Sequence, residues 1–365
     1  MSRFLVIKLF VIAIISWIMP IYATNVQSFI METNHFYDLH PEQRPLSERF
    51  SATVHSPPAP IVAPQSRPVR VSMLLFSPST SPRNYSLLNA FKRRMAELKI
   101  DYRLDVFYSK HAYFDAKTYE QLQSSKADYL ILTGLDLVQS RYIEKILRGG
   151  SPKIIFYGLA TPLLHWQNHS PFMYIGFDQI KIIDTLASYL HRQLPMKANI
   201  AAFILDSGDL GDSRCNAFLD AMANENRTIQ FVKTMPNNKE SAFKATQALL
   251  KSKSIDFVFS CTQNISDGVV AALKSSRPSV ETKTNSWGQS DNEVANVIDH
   301  RVLVSALFIW DDLAIAVAEG IKGDIEGEIM PKLYIARASL MSTELDAESL
   351  NLMMEQAFHY SAVTL

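Results

Sequence analysis

From Val69 onward the chain alternates between short apolar runs and longer segments whose apolar residues recur every three or four positions. "VRVSMLLF", "ADYLILTG", "PKIIFYGL" and "FMYIGFD" are apolar at nearly every position, the pattern of strands buried on both faces. Between them, "YSLLNAFKRRMAELKI", "SRYIEKILRGG" and "QIKIIDTLASYLHRQL" read as amphipathic helices, the second stopping on a glycine cap. The alternation continues through "ANIAAFILD", "IQFVKTM", "IDFVFSC" and "RVLVSALFI". It closes with one strand over "KLYIARASLM" and a helix over "DAESLNLMMEQAFHY". Strand followed by helix, repeated, predicts parallel βαβ units. The strands are too many for one sheet of ordinary width, so the expected fold is α/β with two doubly wound, Rossmann-like lobes. Ligands of open parallel sheets bind outside the carboxyl ends of the strands. The candidate loops are therefore Ser77 to Asn84, Thr133 to Asp136, Gly158 to Thr161, Asp206 to Arg214, Cys261 to Asn264 and Trp287 to Asp291.

The first 68 residues lack this texture. Arg3 and Lys8 precede an apolar run from Leu9 to Ile21 and a small residue at Ala23, which predicts a cleaved signal peptide over 1–23 and a periplasmic mature protein. Residues 24–68 form an N-terminal extension with one short helix expected after Pro45, then a proline-rich arm with prolines at 57, 58, 60, 64 and 68. The arm is expected to lie against the body and to serve a partner rather than the ligand.

Composition narrows the function. Hydrophobic residues are 47% and charged residues 20% of the 365, which predicts a folded protein. Lys plus Arg equals Asp plus Glu at 36 each, so nothing points to nucleic acid. Cys215 and Cys261 are the two cysteines of an exported chain. They can form one disulfide or remain as buried free thiols, and the sequence leaves both open. No GxSxG, HExxH, P-loop or GxGxxG motif stands at a strand end, and no His/Cys cluster has metal spacing. Neither catalytic residue nor metal nor cofactor is expected. What the strand ends carry is hydroxyls, amides, a tryptophan and Arg214, the content of a binding cleft. Arg214 opens a helix after "DSGDLGDS", where it either pairs with Asp206, Asp209 and Asp212 or holds a polar ligand.

Several blocks resemble a known family. "YIGFDQIKIIDTLASYL" looks like the strand-to-hinge segment of type I periplasmic sugar-binding proteins, and "HPEQRPLSERF", "ADYLILT", "PFMYIGFD", "NSWG" and "AFHYS" resemble its LuxP-like branch, which binds autoinducer-2. The resemblance implies two lobes, 69–177 with 309–330 and 178–308 with 331–365, joined by three crossings that form a hinge. It implies a non-enzymatic receptor for quorum sensing, whose partners are a small sugar-like signal (a furanosyl borate diester) and the periplasmic domain of a membrane sensor histidine kinase. A solute-binding protein for a sugar transporter or chemotaxis system is the alternative, and an enzyme the least favoured. Carried over by position, the ligand site comprises Arg214, Trp287, Thr133 and Ser81, together with Ser79, Asn84, Gly158, Gln263, Asn264 and Phe308, where the family pattern changes. Phe308 stands where that family has a second arginine. With one cation left, the resemblance implies weak borate-diester binding and a preference for an uncharged ligand stacked on Trp287 and Phe308.

Overall fold

The computed structural model describes residues 31–76, 79, 81–109, 116–134, 137–160, 162–205, 211–275, 281–290 and 292–361. The expected signal peptide lies outside them, as do Asp206 and Asp209. The strands are β1 (Val69–Leu75), β2 (Tyr102–Tyr108), β3 (Tyr129–Leu132), β4 (Lys153–Tyr157), β5 (Met173–Gly176), β6 (Ile200–Leu205), β7 (Ile229–Met235), β8 (Phe257–Ser260), β9 (Lys283–Ser286), β10 (Val302–Phe308), β11 (Leu333–Ile335) and β12 (Ala338–Ser342). The helices are α1 (Thr33–Leu39), α2 (Gln43–His55), α3 (Pro82–Glu97), α4 (Ala116–Ser124), α5 (Leu137–Gly149), α6 (Gln179–Gln193), α7 (Ala217–Asn224), α8 (Lys239–Ser252), α9 (Gln263–Ser275), α10 (Glu293–Ile298), α11 (Trp310–Ile325) and α12 (Ala347–Phe358).

Two sheets of six strands result, in the orders β11-β5-β4-β3-β1-β2 and β12-β10-β9-β8-β6-β7. All pairings are parallel except β10 with β12, which is antiparallel. The strand order reverses between β1 and β3 in one sheet and between β6 and β8 in the other. A crevice opens at such a switch point because the flanking helices leave to opposite faces. β3 and β10 are buried throughout and β4 from Ile154 onward, as their apolar runs require, whereas β2 and β7 are mostly half-buried or exposed because they are edges with polar residues facing water.

The chain passes between the sheets after β5, after β10 and between β11 and β12. This corrects the expected boundary at Met330. "KLYIARASLM" is two strands in different sheets: Leu333–Ile335 pairs with β5, and Ala338–Ser342 pairs with β10. The crossings bond to one another, Ala336 N–H donating to the Gly176 carbonyl (2.8 Å) and Ile309 N–H to that of Arg337 (3.1 Å).

The N-terminal extension is structural. It holds two helices rather than the single one expected after Pro45, and Pro45 falls in the first turn of α2, where the missing N–H costs nothing. Phe50 and Val54 of α2 join the core around α11, and Phe36 and Tyr37 of α1 join the cluster of Phe156 and Trp166 on the other face of the first sheet. The proline-rich arm is pinned by Ile61 N–H to the Leu98 carbonyl (2.8 Å) and Val62 N–H to Glu326 Oε1 (2.8 Å).

Candidate functional site

Side chains from the carboxyl ends of both sheets converge beside the first two crossings. Four aromatic rings form a chain there. Trp287, after β9, lies nearly parallel to Phe308 at the end of β10 (6.3 Å, 14°). Phe308 meets Phe177 of the first crossing (4.7 Å), and Phe177 meets Trp310 edge-on (5.0 Å). A guanidinium caps each end. Arg214 Cζ sits 3.9 Å from the Trp287 ring centre and 5.5 Å from that of Phe308. Arg83 Cζ sits 4.0 Å from the ring centre of Trp310. Stacking on an indole face attracts a cation electrostatically without neutralising it.

Arg214 is placed by a π-helical turn, Gly211–Asn216, that precedes α7. Such turns widen the backbone and cluster at functional sites. The turn is fastened by a disulfide from Cys215 to Cys261, with a Cα–Cα distance of 5.4 Å. Because β6 and β8 are neighbours, the bond ties the Arg214 turn to the end of the adjacent strand. The residue is 8% exposed, and its Nε and Nη2 both donate to one oxygen, Gln179 Oε1 (3.2 and 2.8 Å). The ion pairs of the described residues include none to Arg214, so pairing with Asp206 or Asp209 lies outside what is described. Burial first, and the nearby Arg83 cation second, lower the Arg214 guanidinium to about 9. It remains charged at neutral pH.

Arg83 enters from the first turn of α3, the helix that follows the β1 loop. Its guanidinium occupies room left by Gly158, where a Cβ would lie 2.9 Å from Arg83 Nη2. Gly158 has φ +85°, a conformation that disfavours any side chain.

A model of the periplasmic binding protein domain matches residues 89–297, more than half of the chain. The chain belongs to the periplasmic binding protein family. Membership implies an extracytoplasmic location, and the two parallel-sheet lobes are the type I form of the fold. Solved structures agree. The periplasmic solute-binding protein of an ABC transporter from Actinobacillus succinogenes, with bound D-allose, is 19% identical, with a TM-score of 0.65 over 78% of this chain and 100% of that one. A periplasmic ribose ABC transporter protein from Conexibacter woesei is 12% identical, with a TM-score of 0.67 over 80% and 97%. The XylFII–LytSN complex gives 14%, 0.62, 76% and 99%.

In this binding protein the residues expected at the site fall into three groups. Arg214 lies where the carboxyl ends of the two sheets meet, and Ser79, Ser81 and Asn84 lie on the β1 loop and first turn of α3, in the same stretch as Arg83. Trp287 and Phe308 are close by but each only 1% exposed. The expectation of a ligand stacked on them is corrected: Arg214 covers the rings, and Trp287 Nε1 donates to the Ser260 carbonyl (2.8 Å), so both support the arginine from beneath. Three others are committed within the protein. Thr133 Oγ1 accepts from Phe76 N–H (3.0 Å), closing the β1 and β3 loops. Gln263 Oε1 accepts from the N–H of Trp287 (3.1 Å) and of Gln289 (3.3 Å), fixing the Trp287 loop. Asn264 Nδ2 donates to the Asn237 carbonyl (3.3 Å) at the surface.

Sequence reasoning missed Arg83, Phe177, Gln179 and Trp310. The β1 loop was a candidate, and "SPRNY" held the cation. Nothing local distinguishes Arg83 from a solvated arginine at a helix start, because its partners Gly158 and Trp310 are far away in sequence.

Proposed function

We propose that the protein is a non-enzymatic receptor that binds a sugar-like solute between its lobes and closes on it by bending at the three crossings. The observation that carries this reading is the meeting of Arg83, from the first lobe, with Arg214, from the second, over a shared aromatic chain at the carboxyl ends of both sheets. A ligand between them touches both lobes, so binding energy favours the closed form. Relatives in fold named for D-allose and for ribose support a sugar-sized ligand. Calorimetric titration with a panel of monosaccharides and their derivatives, followed by small-angle scattering at saturation, tests it. Stoichiometric binding with a compacted particle is expected; turnover of a ligand, or binding without any change in scattering, overturns it.

A second reading makes the receptor a reporter of quorum signal to a membrane sensor histidine kinase. It is favoured by α2, whose His55 contacts Asp312 (3.1 Å) beside Arg337 of the third crossing, so that the extension forms a surface next to the hinge. The XylFII–LytSN complex provides a precedent for this fold bound to another protein. Capture of a kinase periplasmic domain that depends on ligand favours this reading; equal capture with and without ligand refutes it.

A further inference from the structure

We propose that the protein has a second small-molecule site beside its hinge, which takes an organic acid with an apolar body and is coupled to lobe closure. The coupling rests on the reading of the crossings as a hinge; the site itself does not. A cavity of about 330 Å³ opens where four parts of the chain meet, and its lining shares no residue with the aromatic chain or its two arginines. The end of α2 and the start of the proline-rich arm supply His55, Pro57 and Pro58. α11 supplies Asp312 and Ile315, the third crossing supplies Arg337, and the segment after α12 supplies His359 and Tyr360. Pockets that hold small molecules begin at about 300 Å³.

The groups around the cavity select its occupant. Arg94 at its base already donates to Glu319 (2.7 Å), to the Ser56 carbonyl (3.1 Å) and to the Tyr360 hydroxyl (3.3 Å), so it fixes two walls and is matched by a carboxylate. Asp312 is matched as well: Arg337 Nε donates to its Oδ2 (3.1 Å), which also faces His55 Nε2 (3.1 Å). What remains is an excess of donors. Arg337 Nη1 makes no hydrogen bond among the described residues. His55 and His359 each commit one ring nitrogen, to Asp312 and to the Gln356 carbonyl (3.0 Å), which leaves the other. Pro57, Pro58, Ile315 and the Tyr360 ring add apolar surface. Donors without a spare acceptor, set over an apolar wall, fit a molecule with a carboxylate at one end and hydrocarbon at the other. A sugar fits poorly, because its hydroxyls need acceptors as well as donors.

The walls do not move as one piece. Asp312 and Ile315 ride on α11, which packs on the first sheet, whereas His359 and Tyr360 end the helix that packs against Val302 and Leu307 of the second. The Tyr360 N–H donates to Asp311 (2.6 Å), the residue after Trp310, so a shift of this wall reaches the ring beneath Arg83. A molecule that touches all of these walls fits the open and closed forms unequally, and closure then changes its affinity by the factor with which it changes closure.

Calorimetry on the full mature chain, with benzoate against benzamide and hexanoate against hexanamide, tests the site. At least one acid is expected to bind about tenfold or more tightly than its amide, the effect of one charge-assisted hydrogen bond. R337Q and H359Q are each expected to weaken that acid about fivefold and to leave the amide within about twofold. If R337Q does not fold, H359Q decides alone, since His359 is exposed. Hydrogen exchange should slow around His55 and His359 when the acid binds, and small-angle scattering should change. Absence of binding by either acid, equal binding of acid and amide, or affinity that H359Q leaves unchanged overturns the site. Slowed exchange around Arg214 and Trp287 instead assigns the acid to the crevice and overturns it too. Binding at the cavity with unchanged scattering refutes the coupling and keeps the site. None of these outcomes bears on the solute reading, which the monosaccharide titration decides by itself.

Discussion

The helix that carries Arg83 is held against the helix that carries Trp310 by a buried ion pair, and its removal gives a sharp test. Arg94 of α3 and Glu319 of α11 are 2% and 4% exposed. Arg94 Nε donates to Glu319 Oε1 (2.7 Å), Nη2 to the Ser56 carbonyl (3.1 Å) and Nη1 to Tyr360 Oη (3.3 Å). One side chain thus joins the extension, both site-bearing helices and the C-terminal segment. Arg94→Met keeps the aliphatic stem but strands the Glu319 carboxylate, and breaking one half of a buried pair costs about 3–5 kcal/mol. The pH dependence follows from sign. Burial raises Glu319 above its ordinary value, and Arg94 offsets part of that rise. A carboxyl group raised on folding takes up a proton more readily in the native state, so its contribution is greatest in acid and is lost as pH rises through the folded value. Without Arg94 the folded value climbs further. The Arg94→Met deficit, measured by urea denaturation followed by circular dichroism, is therefore expected to be full at pH 8 and to shrink as pH falls through that raised value and Glu319 becomes neutral. Arg94→Met with Glu319→Leu should recover most of the loss, because no buried charge then remains. A single variant within about 1 kcal/mol of wild type at pH 8, or a deficit that does not change with pH, refutes the reasoning.

Reduction of the Cys215–Cys261 bond, or the double change to serine, is expected to cost stability. Its loop spans 46 residues, worth about 4 kcal/mol by chain entropy, and freeing the turn should also weaken ligand held by Arg214; equal melting with and without reductant contradicts this. Gly158→Ala forces a Cβ against Arg83 at φ +85° and should weaken a solute bound between the lobes roughly tenfold, about 1.4 kcal/mol, as read by calorimetry; unchanged affinity would show that Arg83 has no role there. Deletion of residues 24–60 is expected to unfold the first lobe rather than leave a working receptor, since it removes Phe36, Tyr37, Phe50 and Val54 from the cores; a soluble truncated protein with a native melting temperature refutes this.

Much of this architecture was legible because its cause is local. Doubly buried strands must be apolar at successive positions, and amphipathic helices must follow the helical period, so β1, β3, β4, α3 and α6 are written openly. What escaped was decided by distant partners. Ile335 and Ala338 belong to different sheets, yet Ala336 and Arg337 between them carry no glycine or proline to mark the change. The cysteines are adjacent only because β6 and β8 are neighbours. Trp287 was found by position, but its burial under Arg214 depends on the π-helical turn. Arg83 looked like an ordinary arginine at a helix start; only the gap at Gly158 and the face of Trp310 give it a role.

The position of α2 has a further consequence, for the state of the chain in solution. β11 is the outermost strand of the first sheet, and an outer strand offers unpaired N–H and C=O groups to any other chain. Here α2 covers part of that edge: Ser47 Oγ donates to the Leu333 carbonyl, and the N–H of Lys332, just before the strand, donates to Gln43 Oε1 (2.8 Å). The extension thus leaves less of that border open to another chain. A chain that loses it through proteolysis would present a bare sheet border beside the apolar face of Tyr334, and its failure would take the form of edge-to-edge aggregation.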